Sequence, residues 1–96
     1  MLEIETKRLR LAENIMLRAA SGTGLYYAFK LENGDHFDLN ETSYWLLEQI
    51  GQGILFRDLL ERFVVEFRLS REIAMTDLVE TIDFAIVNSI VEEISE

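Results

Sequence analysis

Hydrophobic and polar residues follow two different periods along this 96-residue chain, and the change of period divides it into two parts. Up to residue 39, apolar side chains come in short runs or alternate with polar ones, as in strands that bury one face. From Asn40 onward they recur at three- and four-residue spacing, which is typical of amphipathic helices. The pattern therefore predicts an α+β fold in which strands precede helices.

Three strands of an antiparallel sheet are expected in the first part, separated by turns that contain glycine. They are expected at residues 15–20, 25–31 and 36–39. Asn33 and Gly34 can supply the two positive φ angles of a type I′ turn between the last two strands, and a Ser-Gly-Thr-Gly cluster at residues 21–24 separates the first two. An earlier strand would use the apolar residues Leu2, Ile4, Leu9 and Leu11.

Three helices are expected in the second part. Asn40 is placed to cap the first, which ends at Gly51, the second lies within residues 55–67, and Ser70 is placed to cap the third. Residues expected to face the core from the third helix are Met75, Leu78, Val79, Ile82 and Ile86. Residues expected on its opposite side are Phe84, Val87 and Val91. Both sides of this helix therefore need covering, by the rest of the domain, by a second copy of the chain or by a partner segment.

The net charge of the chain limits its possible partners. Nine Lys and Arg residues against 18 Asp and Glu residues give a formal net charge of −9 and a pI near 4.5. No basic residue follows Arg71. Nucleic acid and anionic membrane surfaces are therefore poor partners. We expect a single domain over residues 1–96 and a cytoplasmic location, because there is no cysteine, no secretory signal and no apolar stretch of about 18 residues.

Residues for catalysis or metal binding are scarce. His36 is the single histidine, and its neighbour on the same strand face, Asp38, gives a His-x-Asp pair that lacks the second histidine of an iron site. The glycines at residues 22–24 and 51–53 lack the spacing and the lysine of a phosphate loop. We therefore expect no enzyme activity, no metal and no cofactor.

The order of the elements is that of a winged helix-turn-helix, a fold that commonly places a basic helix in the major groove of DNA. Here the third helix has Arg71 as its one cation, so it would neutralise almost no phosphate. A fold of this kind without a basic helix is better suited to binding protein.

A family resemblance begins at Leu39-Asn40-Glu41-Thr42-Ser43 and continues through apolar positions of the three helices. These positions are Leu46, Leu47, Leu55, Leu59, Phe63 and Phe67, with the Gly51-Gln52-Gly53 turn and Asp77-Leu78. The pattern resembles the coenzyme PQQ synthesis protein D family, small leader-binding domains also called RiPP recognition elements, over about residues 15–91. Two departures are Leu78 where valine is usual and Ser89 where a glycine commonly ends the third helix before two apolar residues.

The resemblance implies a non-catalytic domain that captures the leader of a ribosomally made precursor peptide and presents it to a modifying enzyme such as a radical SAM protein, in PQQ biosynthesis or a related pathway. Family members take the leader as an added strand beside the third strand, against the third helix. We therefore expect a pairing edge of Asp35, His36, Phe37 and Asp38, and an opposing wall of Thr81, Phe84, Ala85 and Asn88. The acidic balance favours a leader that carries Lys or Arg.

Two other classes of function stay open from the sequence. One is an acidic winged-helix regulator or antitoxin-like dimer, which would show a basic face and retain DNA at low salt. The other is an adaptor in which the third helix self-associates to form a homodimer.

Overall fold

The computed structural model describes residues 8–20 and 22–94, and these adopt the predicted α+β architecture. In chain order the elements are β1 (Arg8–Leu11), β2 (Ile15–Ala20), β3 (Leu25–Lys30), β4 (His36–Leu39), α1 (Glu41–Ile50), α2 (Phe56–Phe67), α3 (Arg71–Val87) and β5 (Val91–Ile94). Strands β2, β3 and β4 form an antiparallel meander in that order, and β1 pairs with β5 in a separate two-stranded sheet. Three meander strands followed by three helices confirm the predicted fold class.

The turn between β3 and β4 differs from the expected type I′ turn. Gly34 has a positive φ of 78°, whereas Asn33 is not among the residues with positive φ. The Gly34 N–H donates to the Lys30 carbonyl at 2.8 Å, and Asn33 Oδ1 accepts from the N–H of Asp35 at 3.0 Å. The hairpin is as predicted, but its longer loop needs only one glycine-type conformation.

The earlier strand predicted at Leu9 and Leu11 is present as β1, although it does not extend the meander. Its partner is β5, in which Val91 lies opposite Leu11, so the assignment of Val91 to the third helix is wrong. Across this pair Arg10 Nη2 lies 2.7 Å from Glu92 Oε1. Two other parts of the strand prediction, Leu2 with Ile4 and the turn residue Ser21, lie outside the described residues.

Side-chain caps begin the first and third helices as predicted. Asn40 Oδ1 accepts a hydrogen bond from the N–H of Ser43 at 2.8 Å, and from Thr42 Oγ1 at 2.9 Å. Ser70 Oγ accepts from the N–H of Ile73 at 3.2 Å. Each cap satisfies a backbone donor that the helix itself cannot pair.

The core lies between the three helices and the β1–β5 sheet. Its fully buried members include Leu9, Leu46, Leu47, Ile50, Phe56, Leu59, Leu60, Phe63, Ala74, Leu78, Ile82, Ala85, Ile90 and Val91. In α3 the buried residues are Ala74, Leu78, Ile82 and Ala85, whereas Ile86 remains 39% exposed. Leu78 and Ile82 are buried as expected, and Met75 and Val79 pack against the core. The buried face is nevertheless rotated from the expected one, because it includes Ala74 and Ala85 and leaves out Ile86. None of the helices described is long and apolar enough to cross a membrane.

Helix α3 ends in a tight turn at Ser89, where the family resemblance leads us to expect a glycine. Ser89 adopts the left-handed conformation with a φ of 59°. The N–H of Ile90 donates to the Ala85 carbonyl at 2.7 Å, and that of Ser89 donates to the Ile86 carbonyl at 3.0 Å. These two bonds form a Schellman motif, with Ile90 buried beneath it. The turn sends the chain directly into β5.

Replacing Ser89 with glycine is expected to stabilise the domain by about 0.5–1 kcal/mol. The left-handed conformation costs a residue with a Cβ roughly 1–2 kcal/mol, and part of the gain is lost to the greater freedom of glycine in the unfolded chain. Urea denaturation measures the change. Ser89→Ala, which keeps the Cβ, is the matched control and should not be stabilised. A glycine variant less stable than the wild type would contradict the expectation.

Candidate functional site

Strand β4 lies at the edge of the meander, paired to β3 on one side. The Lys30 N–H donates to the Asp35 carbonyl at 2.8 Å, which marks a hydrogen-bonded pair just before the strand. Because bonded and non-bonded pairs alternate in an antiparallel ladder, Phe37 is bonded to β3, whereas the N–H and C=O groups of His36 and Asp38 point away from it. In the described part of the chain the sheet has no strand beyond β4, so this edge is open.

A groove of about 350 Å³ runs beside this edge, between β4, the start of α1 and one side of α3. The first turn of α1 contributes polar side chains, Thr42 and Ser43, and Leu39 and Leu47 are the apolar residues nearby. The lining residues are Asp38, Leu39, Asn40, Thr42, Ser43, Leu47, Asp77, Glu80, Thr81 and Phe84. The groove therefore places an unpaired backbone edge opposite a helix wall.

Two of the four residues predicted for the wall lie in this groove. Thr81 and Phe84 line the groove, and Phe84 is 43% exposed. Ala85 is fully buried in the core, so its assignment to the wall is wrong, since the buried face of α3 is rotated towards it. Asn88 caps the end of α3, where its Nδ2 donates to the Phe84 carbonyl at 2.9 Å, and it is not part of the groove lining.

The predicted edge residues divide between the two faces of the sheet. Phe37 is half-buried and faces the helices, where its ring meets that of Phe84 edge-to-face with centroids 6.1 Å apart. His36 belongs to a shallow hollow on the outer face, and Asp38 borders both this hollow and the groove. Asp35 lies in the preceding loop, where its carbonyl closes the hairpin.

Two acidic residues of the wall, Asp77 and Glu80, were not predicted. Asp77 is half-buried and lies one turn before Thr81, and Glu80 is exposed one turn before Phe84. The same angular sector of the helix that contains Thr81 and Phe84 therefore contains both carboxylates, which an extension of the helical pattern towards the N-terminus would have found. Likewise, the cap residue Asn40 was recognised as a helix start but not as part of a groove floor.

The charges of the groove are all of one sign. Its ionisable lining residues are Asp38, Asp77 and Glu80. Lys30 lies close to the aromatic pair instead, with its Nζ 5.9 Å from the ring centroid of Phe37. Within residues 8–20 and 22–94, no group of three or more His, Asp or Glu side chains is arranged to hold a metal ion.

Two solved structures share this fold. TbiB1 in complex with the TbiA(beta) leader peptide covers 91% of this chain and 99% of its own, with a TM-score of 0.76 and 11% identity. Lasso peptide synthetase B1 complexed with the leader peptide covers 88% of this chain and 96% of its own, with a TM-score of 0.72 and 18% identity. No protein-family model and no curated protein matches the chain. The chain is therefore similar in architecture to two proteins that were solved with leader peptides bound.

Proposed function

We propose that this chain is a non-catalytic RiPP recognition element that binds the leader of a ribosomally synthesised precursor peptide in the groove between β4 and α3. The leader would pair with β4 as an added strand and be presented in the cytoplasm to a modifying enzyme, such as a radical SAM protein of PQQ biosynthesis or the enzyme of another peptide pathway. The observation that carries the proposal is the open edge of β4 beside a groove. The family resemblance and the bound leaders of the two structural neighbours support it.

Energetics indicate that the edge and the groove must act together. His36 and Asp38 each offer one N–H and one C=O, which allows at most four backbone hydrogen bonds. At about 0.5–1.5 kcal/mol each, these bonds do not reliably offset an association cost of roughly 4–15 kcal/mol. An apolar side chain of the peptide, packed on Phe84, would contribute about 1.5–3 kcal/mol more. Affinity and sequence preference would therefore both depend on the helix wall.

The charges of α3 argue against a DNA-binding function for the same fold. Arg71, at the start of the helix, is its one basic residue, and Arg71 Nη1 forms an ion pair with Glu61 of α2. The wall that a nucleic acid would have to approach carries Asp77 and Glu80. Phosphate would be repelled there.

Amide NMR of the labelled protein tests the proposal directly. The probes are synthetic peptides that tile the short reading frames encoded beside the gene. Binding by strand addition should shift the amides of β4 and of the groove side of α3. Shifts centred elsewhere would contradict the proposal. An absence of shifts together with concentration-dependent sedimentation would favour the homodimer, in which α3 packs on a second copy.

Asp38→Pro should weaken binding of a peptide identified in this way by about two- to tenfold, the effect of one lost backbone hydrogen bond of about 0.5–1.5 kcal/mol, while leaving the domain folded. The Asp38 N–H points away from β3, so its loss removes a bond to the added strand and none to the meander, and proline is tolerated at such edge positions. Isothermal titration calorimetry measures the affinity, and circular dichroism reports the fold. Asp38→Ala keeps the N–H and should retain most of the affinity. Equal binding by the two variants would exclude strand addition at this position.

Phe84→Asp should weaken peptide binding at least tenfold and lower the melting temperature by a few degrees. The stability loss follows from the Phe37–Phe84 ring contact, worth about 0.5–1.5 kcal/mol. Val87→Asp is the matched control, because Val87 is 80% exposed on the same helix and is not part of the groove lining. Fluorescence anisotropy with a labelled peptide measures both variants. Unchanged affinity in Phe84→Asp would place the peptide outside this wall.

A further inference from the structure

The groove changes in chemical character along its length. At one end the rings of Phe37 and Phe84 meet, with Lys30 beside them. Glu80 lies one helical turn from Phe84, about 6 Å along the axis, and Asp77 lies two turns away, about 10.5 Å. The helix wall therefore passes from an apolar end to an acidic end within the span of a short peptide strand.

At the acidic end of the groove, the lining residues include no Lys or Arg within the described part of the chain. Among the residues that the structure describes, no salt bridge joins Asp38, Asp77 or Glu80 to a basic side chain. Two carboxylates elsewhere on the described surface do have a cation partner, Glu61 with Arg71 and Glu92 with Arg10. A strand laid into the groove would remove water from Asp77, which is already half-buried, and an unpaired carboxylate that loses its water is costly. A basic side chain in the strand would offset that cost.

We infer that the groove selects peptides in which an apolar residue and a Lys or Arg are two positions apart, with the apolar side chain on Phe84 and the cation between Glu80 and Asp77. This inference rests on the proposed function, because it assumes an added strand beside β4. Side chains that face the same wall are two residues apart in a strand, about 6.7 Å, which matches the separation of Phe84 and Glu80 along the helix. The long stem of Lys or Arg then extends towards Asp77.

Selection from a displayed library of random 12-residue peptides tests the inference without a known ligand. The full chain is immobilised at 150 mM salt, so that attraction to its overall negative charge is screened. Recovered peptides are then titrated into the labelled protein and mapped by amide NMR. We expect enrichment of the apolar-x-basic pattern, in either order, and shifts at β4 and along α3.

Paired variants separate the groove charges from the net charge of the chain. Asp77→Asn combined with Glu80→Gln should weaken the selected peptides about tenfold, which corresponds to about 1.4 kcal/mol. Asp83→Asn combined with Glu66→Gln changes the net charge equally at exposed sites outside the groove lining and should leave the affinity unchanged. Glu80→Lys should shift the selection towards peptides that carry Asp or Glu where the wild type selects Lys or Arg.

The outcomes distinguish this inference from the function on which it rests. Peptides that map to the groove but show no basic preference, and bind the Asn/Gln pair as tightly as the wild type, would overturn the inference alone. So would an equal loss in both neutralised pairs, because the groove carboxylates would then have no special effect. Peptides that map elsewhere, or no enrichment over an immobilised Asp38→Pro variant, would overturn the proposed function as well.

Discussion

The rotation of α3 about its own axis determines the character of the groove. That rotation is fixed by the burial of Ala74, Leu78, Ile82 and Ala85 against the rest of the core. Once these residues are inside, the neighbouring sector of the helix must face β4, and it carries Thr81 and Phe84 together with two carboxylates. A helix rotated to bury Ile86 instead would turn a different set of side chains towards the sheet edge. The core therefore determines which side chains line the groove.

Much of the fold was predictable because the signals were local. The caps Asn40 and Ser70, the glycine that ends α1 and the alternation in β4 each depend on a few neighbouring residues, and each is present in the structure. The pairing of β1 with β5 joins residues about 80 positions apart, and no local pattern around Val91 indicates that this segment pairs with β1. The segment after Ser89 instead continues an apolar helical pattern, which concealed the strand.

The candidate site was predictable to the extent that helical geometry allowed. Thr81 and Phe84 were found from their angular positions, but the same reasoning placed Ala85 beside them. The spacing assigns the core face to large apolar residues, whereas the buried face also includes Ala74 and Ala85, whose small volume permits close packing. The groove floor at the start of α1 depends on how the helices cross, and that tertiary relationship has no counterpart in the spacing of residues along the chain.

The open edge of β4 could also pair with the same edge of a second copy, and the short length and negative charge of the strand reduce this risk. An unpaired strand invites pairing with a second copy, and short edges with charged residues reduce this risk. Strand β4 has four residues, and Asp38 is exposed on it. In a chain with a formal net charge of −9, two such edges repel each other. The same negative charge that would favour a basic peptide therefore disfavours self-association.

The long-range pairing of β1 with β5 has a consequence for the order of folding. Closing a loop of about 80 residues costs roughly 4 kcal/mol of chain entropy by the logarithmic scaling, so this sheet should form after the meander hairpins, whose contacts are local. During synthesis β1 would have to wait for the last described strand to emerge. All elements that surround the groove precede β5 in the chain. The nascent protein would therefore assemble the groove before β1 and β5 meet.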